Sequence, residues 1–264
     1  MQKIRIDKLL FERGLVESRE KARALILEGK VLVNGINVDK AGAFVRGNAS
    51  IEILQKMPYV SRGGVKLEEA IRSFKIDVKG KIAMDVGAST GGFTDCLLQH
   101  GAKKVYAIDV GYGQLAWELR NNPKVILLEK TNIRYLDRML RSQSTTHWMV
   151  KSEELKDLIR CNIDIATIDV SFISLLKVIP KVTEFLKSEG EIIALIKPQF
   201  EVSRKDVRKG VVKDATKQLE VTEKIKAEVK RMGLLVKGII RSPLIGPKGN
   251  IEYFIYLKKP PLVL

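Results

Sequence analysis

A chain of 264 residues, 45% hydrophobic and 30% charged, has enough apolar material for one large folded domain with or without a small one, and is not the composition of a disordered protein. Its formal net charge of +16 favours polyanionic partners, because Lys and Arg that neutralise phosphates release counterions, although a basic surface can also serve solubility alone. Two isolated cysteines, Cys96 and Cys161, make neither a disulfide framework nor a metal site, and no apolar run approaches the ~20 residues that span a bilayer. The N-terminal MQKIRIDKLL has no continuous apolar core of the signal-peptide kind, so a cytoplasmic chain with no membrane partner and no metal is expected.

Residues 1–58 have a character of their own. Ile6, Leu9 and Leu10 make a helical stripe; Ser18 can cap a second helix with Ala22, Leu25 and Ile26 on its apolar face, and Gly29 stops it. VLVNGINV alternates around Asn34-Gly35, a strong hairpin signal. Arg5 and Lys8 share one helix face, and Arg19 and Arg23 share another at i,i+4 spacing; the ordinary reading of such charges is a solvated face. The stretch RIDKLLFERGLVESREKARALILEGKVLVNG closely resembles the S4-like RNA-binding domain, a small α+β fold of the αL type. That resemblance implies RNA binding through the helix carrying Arg19, Lys21 and Arg23, with Arg5 and Lys8 alongside and Arg62 downstream.

QKMPYVSRGG, residues 55–64, reads as a linker, with residues 59–64 separating the two domains and Gly63-Gly64 ahead of a helix from near Val65. That helix is expected to present Lys66, Glu69 and Ser73 on a different face from Leu67, Ala70 and Ile71. Across 65–264, the strand-like runs KIAMDV, KVYAIDV, KVILLEK, DIATIDV and EIIALIK alternate with helical segments, the rhythm of a Rossmann-like, doubly wound α/β sheet. LVKGIIRSPLIG and IEYFIYLKK, joined by Pro-Lys-Gly-Asn, break that rhythm and suggest an antiparallel pair at the sheet edge.

The first of these strands runs into DVGASTGGFT, where Gly87, Gly91 and Gly92 permit a tight turn into a helix starting near Gly92. Asp109, 24 residues beyond Asp85, is placed to bind ribose hydroxyls. The spacing G-x-x-x-G-G is not the nicotinamide fingerprint G-x-G-x-x-G, and no Lys-Ser/Thr follows for a P-loop. An acid before the first glycine, Asp85, is typical of S-adenosylmethionine-dependent methyltransferases. Asp85, Gly87, Ala88, Ser89, Gly91, Gly92, Phe93, Asp109 and Asn132 are therefore the candidate cofactor residues, with Glu129 to Asn132 near the adenine.

The fourth strand ends in Asp169-Val170-Ser171-Phe172, without the Pro-Pro of amino-methylating enzymes, and no cysteine is placed to attack a pyrimidine ring. Oxygen methylation needs neither device. A ribose hydroxyl must be oriented and relieved of its proton, which a lysine can do when burial or another cation lowers its pKa. Lys197 ends the apolar run of EIIALIK at the same sheet edge as Asp169, Glu252 opens the last strand, and Lys66 lies on the helix before the sheet.

In order and local context, Lys66, Asp169, Lys197 and Glu252 match the Lys-Asp-Lys-Glu tetrad of FtsJ-like 2′-O-ribose methyltransferases. SRGGVKLEEA, DVGASTGGFTDCLLQHGA, IDVSFISLL, LIKPQFE and GPKGNIEYF resemble the TlyA family, whose older label is haemolysin. The resemblance implies 2′-O-methylation of cytidine in ribosomal RNA, with ribosomal RNA or ribosomal subunits as partners and S-adenosylmethionine as cofactor. On this reading Lys197 is the base, Asp169 holds both lysines and Glu252 orients Lys66 or the ribose, with the division of roles between the lysines left open. Cations in 202–214 are candidates for RNA phosphates, and 141–161 is longer than the connection needs. The rival readings are a membrane-active haemolysin and an RNA-binding protein without catalysis; oligomeric state is not legible.

Overall fold

The computed structural model describes residues 3–27, 29–53, 58–141, 155–160 and 162–261. Residues 142–154 and 161, and with them Cys161 and most of the long connection, lie outside the described residues. The chain divides into two compact units, Met1–Pro58 and Tyr59–Leu264.

In the small unit, β1 (Lys3–Arg5), α1 (Ile6–Glu12), α2 (Arg19–Leu27), β2 (Val31–Val33), β3 (Ile36–Asn37), β4 (Phe44–Arg46) and β5 (Ile51–Ile53) follow one another. β1 pairs with β4, and β2 lies between β3 and β5 in a second small sheet. Ser18 Oγ accepts the Lys21 amide at 3.1 Å, the cap expected of it. Asn34 and Gly35, at φ 51° and 77°, supply the two left-handed residues of the hairpin turn. Ile6, Leu10, Ala22, Ile26, Val31 and Val33 pack into a core belonging to this unit alone.

The large unit begins with α3 (Arg62–Phe74) and continues through β6 (Ile82–Val86), α4 (Gly92–Gln99), β7 (Lys104–Ile108), α5 (Trp117–Arg120), β8 (Val125–Leu128), α6 (Leu136–Arg141), α7 (Lys156–Ile159) and β9 (Ile163–Ile168). It ends with α8 (Ile179–Phe185), β10 (Leu186–Ile196), α9 (Ala215–Arg231), β11 (Leu235–Arg241) and β12 (Tyr253–Lys258). The sheet order is β11-β12-β10-β9-β6-β7-β8. β10, β9, β6, β7 and β8 run parallel, while β12 is antiparallel to both β10 and β11. The edge pair expected from the broken rhythm is present, with β11 outermost.

Strands buried on both faces explain the near-continuous apolar runs. Along β10, Ile192, Ala194 and Ile196 face one core with α8 and α9, and Ile193 and Leu195 face another with α3 and α4. The order reverses between β6 and β9: the chain leaves β6 towards β7 and β8, then returns to lay β9 on the other side. That switch point opens a crevice at the carboxyl ends of the strands.

The assignment of 59–64 as a linker is corrected. Tyr59 is buried in the large unit's core, the Val60 amide donates to Asp95 Oδ2 at 2.8 Å, and α3 starts at Arg62 rather than near Val65. Of the two glycines that looked like a breaker, Gly64 is needed for close packing. A Cβ on Gly64 would sit 2.2 Å from Tyr59 Cγ, so the absent side chain is what lets the ring lie against the helix. Lys66 is corrected likewise: it is buried with Leu67, Ala70 and Ile71, while Glu69 pairs with Arg72 and Ser73 on the outer face. Positions 66 and 70 are an i,i+4 pair and share one side of the helix.

Candidate active site

Asp169, Lys197 and Asp109 are each the first residue beyond a strand, and Glu252 immediately precedes β12, which runs the opposite way. All four therefore come to one edge of the sheet. Two lysine–carboxylate pairs form there. Lys66 Nζ donates to Glu252 Oε2 at 2.7 Å, both side chains nearly enclosed. Lys197 Nζ lies 2.5 Å from Asp169 Oδ1 and donates to Ser171 Oγ at 3.1 Å. The expectation that Asp169 holds both lysines is corrected, since each lysine has a carboxylate of its own. Glu252 Oε1 is buried without a hydrogen-bond partner among the described residues and lies against Gly246, where a Cβ would come within 2.2 Å of it.

Two cavities meet at this edge. The larger, about 780 Å³, is lined by Gly87, Ser89, Asp109, Asn132, Asp169 and the segment from Val170 to Ser174, among others. The smaller, about 430 Å³, is lined by Arg62, Lys66, Gly87 to Thr90, Gly92, Phe93, Asp169 and Gly246. Gly87, Ser89 and Asp169 border both, so the loop after β6 is their shared wall. Gly87 has φ 87°, and a Cβ there would lie 2.3 Å from the Asp169 carbonyl oxygen. Only glycine lets the ends of β6 and β9 approach this closely.

The wall is held by the groups that line it. Asp109 accepts the Ser89 amide at 2.8 Å and the Gly111 amide at 2.7 Å, one on each oxygen, which locks the glycine loop to the end of β7. A carboxylate has about four lone-pair sites, so acceptor capacity remains towards the cavity. Asn132 Oδ1 accepts the Arg134 amide at 3.1 Å and turns the chain at the far side of the cavity.

Of the expected cofactor residues, Ala88, Gly92 and Phe93 border only the smaller cavity, and Asp85 and Gly91 line neither, nor does Glu129, expected near the adenine. Asp85 is fully buried beneath the loop, accepting from Thr94 Oγ1 at 2.7 Å and Thr167 Oγ1 at 2.9 Å, and it lines neither cavity. Burial, which disfavours its charged form, raises its pKa to about 6; the threonine hydroxyls oppose this and the nearby Asp169 charge adds to it. Gly91, at φ 99°, turns its Cα towards Leu115 and Leu119 and makes the turn without reaching the cavity. Glu129 is engaged by Arg120 and by the Gly113 amide at 2.6 Å, which fixes the loop after β7. Cys96 is the packed apolar residue its place in α4 implies: it is buried, and burial pushes its thiol up to about 12.

Phe172 escaped the reading of the sequence. It is 90% exposed at the lip of the larger cavity, has φ 64° and faces Phe200 at 5.0 Å between ring centroids. An exposed bulky residue in the left-handed region is an outlier that backbone strain at working sites explains. Nothing in IDVSF distinguishes this phenylalanine from a core residue.

In the small unit, Arg5, Arg19 and Arg23 all turn onto one buried carboxylate, Asp7. Lys8 lies 3.3 Å from Glu12, and Lys21 is exposed. Arg62 belongs to the large unit, where its Nη2 donates to the Ile245 carbonyl at 3.1 Å on the wall of the smaller cavity.

The FtsJ-like methyltransferase family matches residues 59–259, and the S4 domain matches residues 4–51. The 16S/23S rRNA (cytidine-2′-O)-methyltransferase TlyA of Mycobacterium tuberculosis is 38% identical over 97% of this chain and 90% of its own. The chain belongs to the TlyA family of FtsJ-like methyltransferases. Another member, YqxC of Bacillus subtilis, provisionally named an rRNA methyltransferase, is 41% identical over 98% of this chain and 87% of its own. A solved structure from Streptococcus thermophilus, provisionally named a hemolysin, shares 39% identity and superposes with a TM-score of 0.72, covering 98% of this chain and 90% of that one. The TlyA-type architecture thus pairs an S4 domain with a mainly parallel methyltransferase sheet, and among the described residues no helix is long and apolar enough to cross a membrane.

Proposed function

We propose that this protein transfers a methyl group from S-adenosylmethionine to a ribose 2′-oxygen, that of cytidine, in ribosomal RNA. The observation that carries the reading is the convergence of Lys66–Glu252 and Lys197–Asp169 at the sheet's switch point, beside a cavity walled by a glycine loop.

The residues present fit the cofactor. The cavity of about 780 Å³ is within the ordinary range for ligand sites, Asp109 keeps acceptor capacity for ribose hydroxyls, and Gly87 removes the side chain that would obstruct close approach. Ser89, Asp109, Asn132 and Val170 would hold it. When bound, S-adenosylmethionine would supply an electrophilic methyl group through cleavage of its methyl–sulfur bond, with the neutral thioether as leaving group.

Everything else falls to this chain. The 2′-hydroxyl has to reach the join of the two cavities, where Asp169 borders both. Its proton passes to the Lys197 amine as the new oxygen–carbon bond forms, and the resulting ammonium is received by Asp169 and Ser171 already in place. Lys66, anchored by Glu252, presents a fixed positive charge at the smaller cavity and favours the oxygen as it gains negative charge. Phe172 at the lip offers an aromatic face to a base.

The test is transfer of labelled methyl to ribosomal RNA by Lys197→Ala, alongside calorimetry with S-adenosylmethionine. A loss of about 10²- to 10⁴-fold in rate with cofactor affinity retained is expected of a missing general base. Full transfer by the variant would refute the mechanism. Mapping of 2′-O-methyl groups in RNA from cells with and without the protein identifies the substrate.

A further inference from the structure

In the small unit one carboxylate is shared by three arginines. Asp7 is fully buried, yet Arg5 donates to it through Nε and Nη2, both at 3.0 Å, Arg19 through Nη2 at 2.9 Å, and Arg23 through Nε at 3.3 Å. Asp7 Oδ1 also accepts the Lys8 amide at 2.9 Å, which fixes the carboxylate to the first turn of α1. The arginines come from different elements: Arg5 from the end of β1, Arg19 and Arg23 from successive turns of α2.

Charge balance needs only one arginine for one carboxylate. Three leave an excess of two positive charges on side chains that are 42%, 40% and 50% exposed. Free guanidiniums repel one another and sample many rotamers; tied to a common buried anchor they stand in one arrangement. A guanidinium has five N–H donors, of which Arg5 spends two on Asp7 and Arg19 and Arg23 one each, so most donors remain for a second acceptor. Planar, fixed forks of this kind match phosphate oxygens.

We propose that Asp7 is the positioning residue of an RNA-phosphate site formed by Arg5, Arg19 and Arg23, an acidic side chain whose presence strengthens binding to a polyanion. The inference rests on the reading of this unit as RNA-binding.

The sign of the effect makes it testable. Asp7→Asn adds one positive charge to a chain of net +16, which by electrostatics alone tightens RNA binding. If Asp7 positions the arginines, binding weakens instead. The measurement is filter binding of full-length protein to protein-free ribosomal RNA at several KCl concentrations, with calorimetry against S-adenosylmethionine in parallel. Asp7→Asn is expected to raise Kd about tenfold and to lower the salt slope by about one unit for each phosphate no longer engaged, with cofactor affinity unchanged. Equal or tighter RNA binding by a folded Asp7→Asn protein overturns the proposal.

Should that variant fail to fold, judged by circular dichroism, Arg5→Lys and Arg19→Lys decide. They keep the charge and lose the fork, so weakening of about fivefold or more supports fixed guanidinium placement, and unchanged affinity overturns it. Arg19→Ala and Lys21→Ala separate this from the underlying reading. If neither alters RNA affinity, the unit does not bind RNA and both ideas fall; if they weaken it while folded Asp7→Asn does not, only the role of Asp7 falls.

Discussion

At the scale of single residues, the acids of this protein are sorted by what encloses them. Asp7 and Glu252 are buried beside cations and serve as anchors for them, whereas Asp85 is buried between two threonine hydroxyls with no cation on either oxygen among the described residues. That difference has a consequence for stability. With a folded pKa of about 6 against an ordinary value of 3.8, Asp85 contributes stability that is full below the ordinary value and lost as pH rises through about 6. The difference amounts to about 3 kcal/mol. Urea denaturation of wild type and Asp85→Asn at pH 7.5, 6 and 5 is expected to show wild type gaining stability relative to the variant as pH falls. A pH-independent difference between the two would place the burial penalty elsewhere.

Among elements, the contact between α3 and α4 matters most, because α3 carries Lys66 and α4 opens from the glycine loop. The helices approach so closely that a Cβ on Gly92 would meet Ser61 Oγ at 2.2 Å and the Gly64 backbone nitrogen at 2.8 Å. Ser61 can rotate away; the Gly64 backbone has no such freedom. Gly92→Ala should therefore push α3 outward, at a cost of about 1–3 kcal/mol in stability. It should also reduce methyl transfer by up to about 10²-fold, because Lys66 moves with its helix. Thermal denaturation and single-turnover transfer would measure the two effects, and an unchanged melting temperature would mean that the helices can slide without loss.

For the whole molecule, the boundary before Tyr59 predicts how the chain can be cut. Among the described residues, the core clusters of the large unit draw on those from Tyr59 onward and that of the small unit on those before it. A protein of residues 59–264 is expected to unfold cooperatively and to bind S-adenosylmethionine with near-wild-type affinity, while its RNA affinity and salt dependence fall. One of residues 65–264, cut at the end of the apparent linker, loses the buried Tyr59 ring and is expected to be less stable by about 3 kcal/mol. Comparing the two by calorimetry and melting tests the boundary directly; equal stability would return 59–64 to the role of a linker.

The same scale separates what was legible in the chain from what was not. Strand rhythm, the Asn34-Gly35 turn, the Ser18 cap and the placing of Asp169 and Lys197 at one sheet edge follow from local rules, periodicity and turn chemistry, which act between neighbours in sequence. The pairing of Lys66 with Glu252 across 186 positions, the gathering of three arginines on Asp7 and the exposure of Phe172 do not. Nor does the reason for Gly64, which resembles part of a chain break in sequence and is a packing surface in three dimensions. The sequence by itself determined the order of elements and the chemical type of each side chain at the sheet edge. Only the tertiary structure decided which charge meets which, because that depends on a switch point and a helix contact formed by residues far apart in the chain.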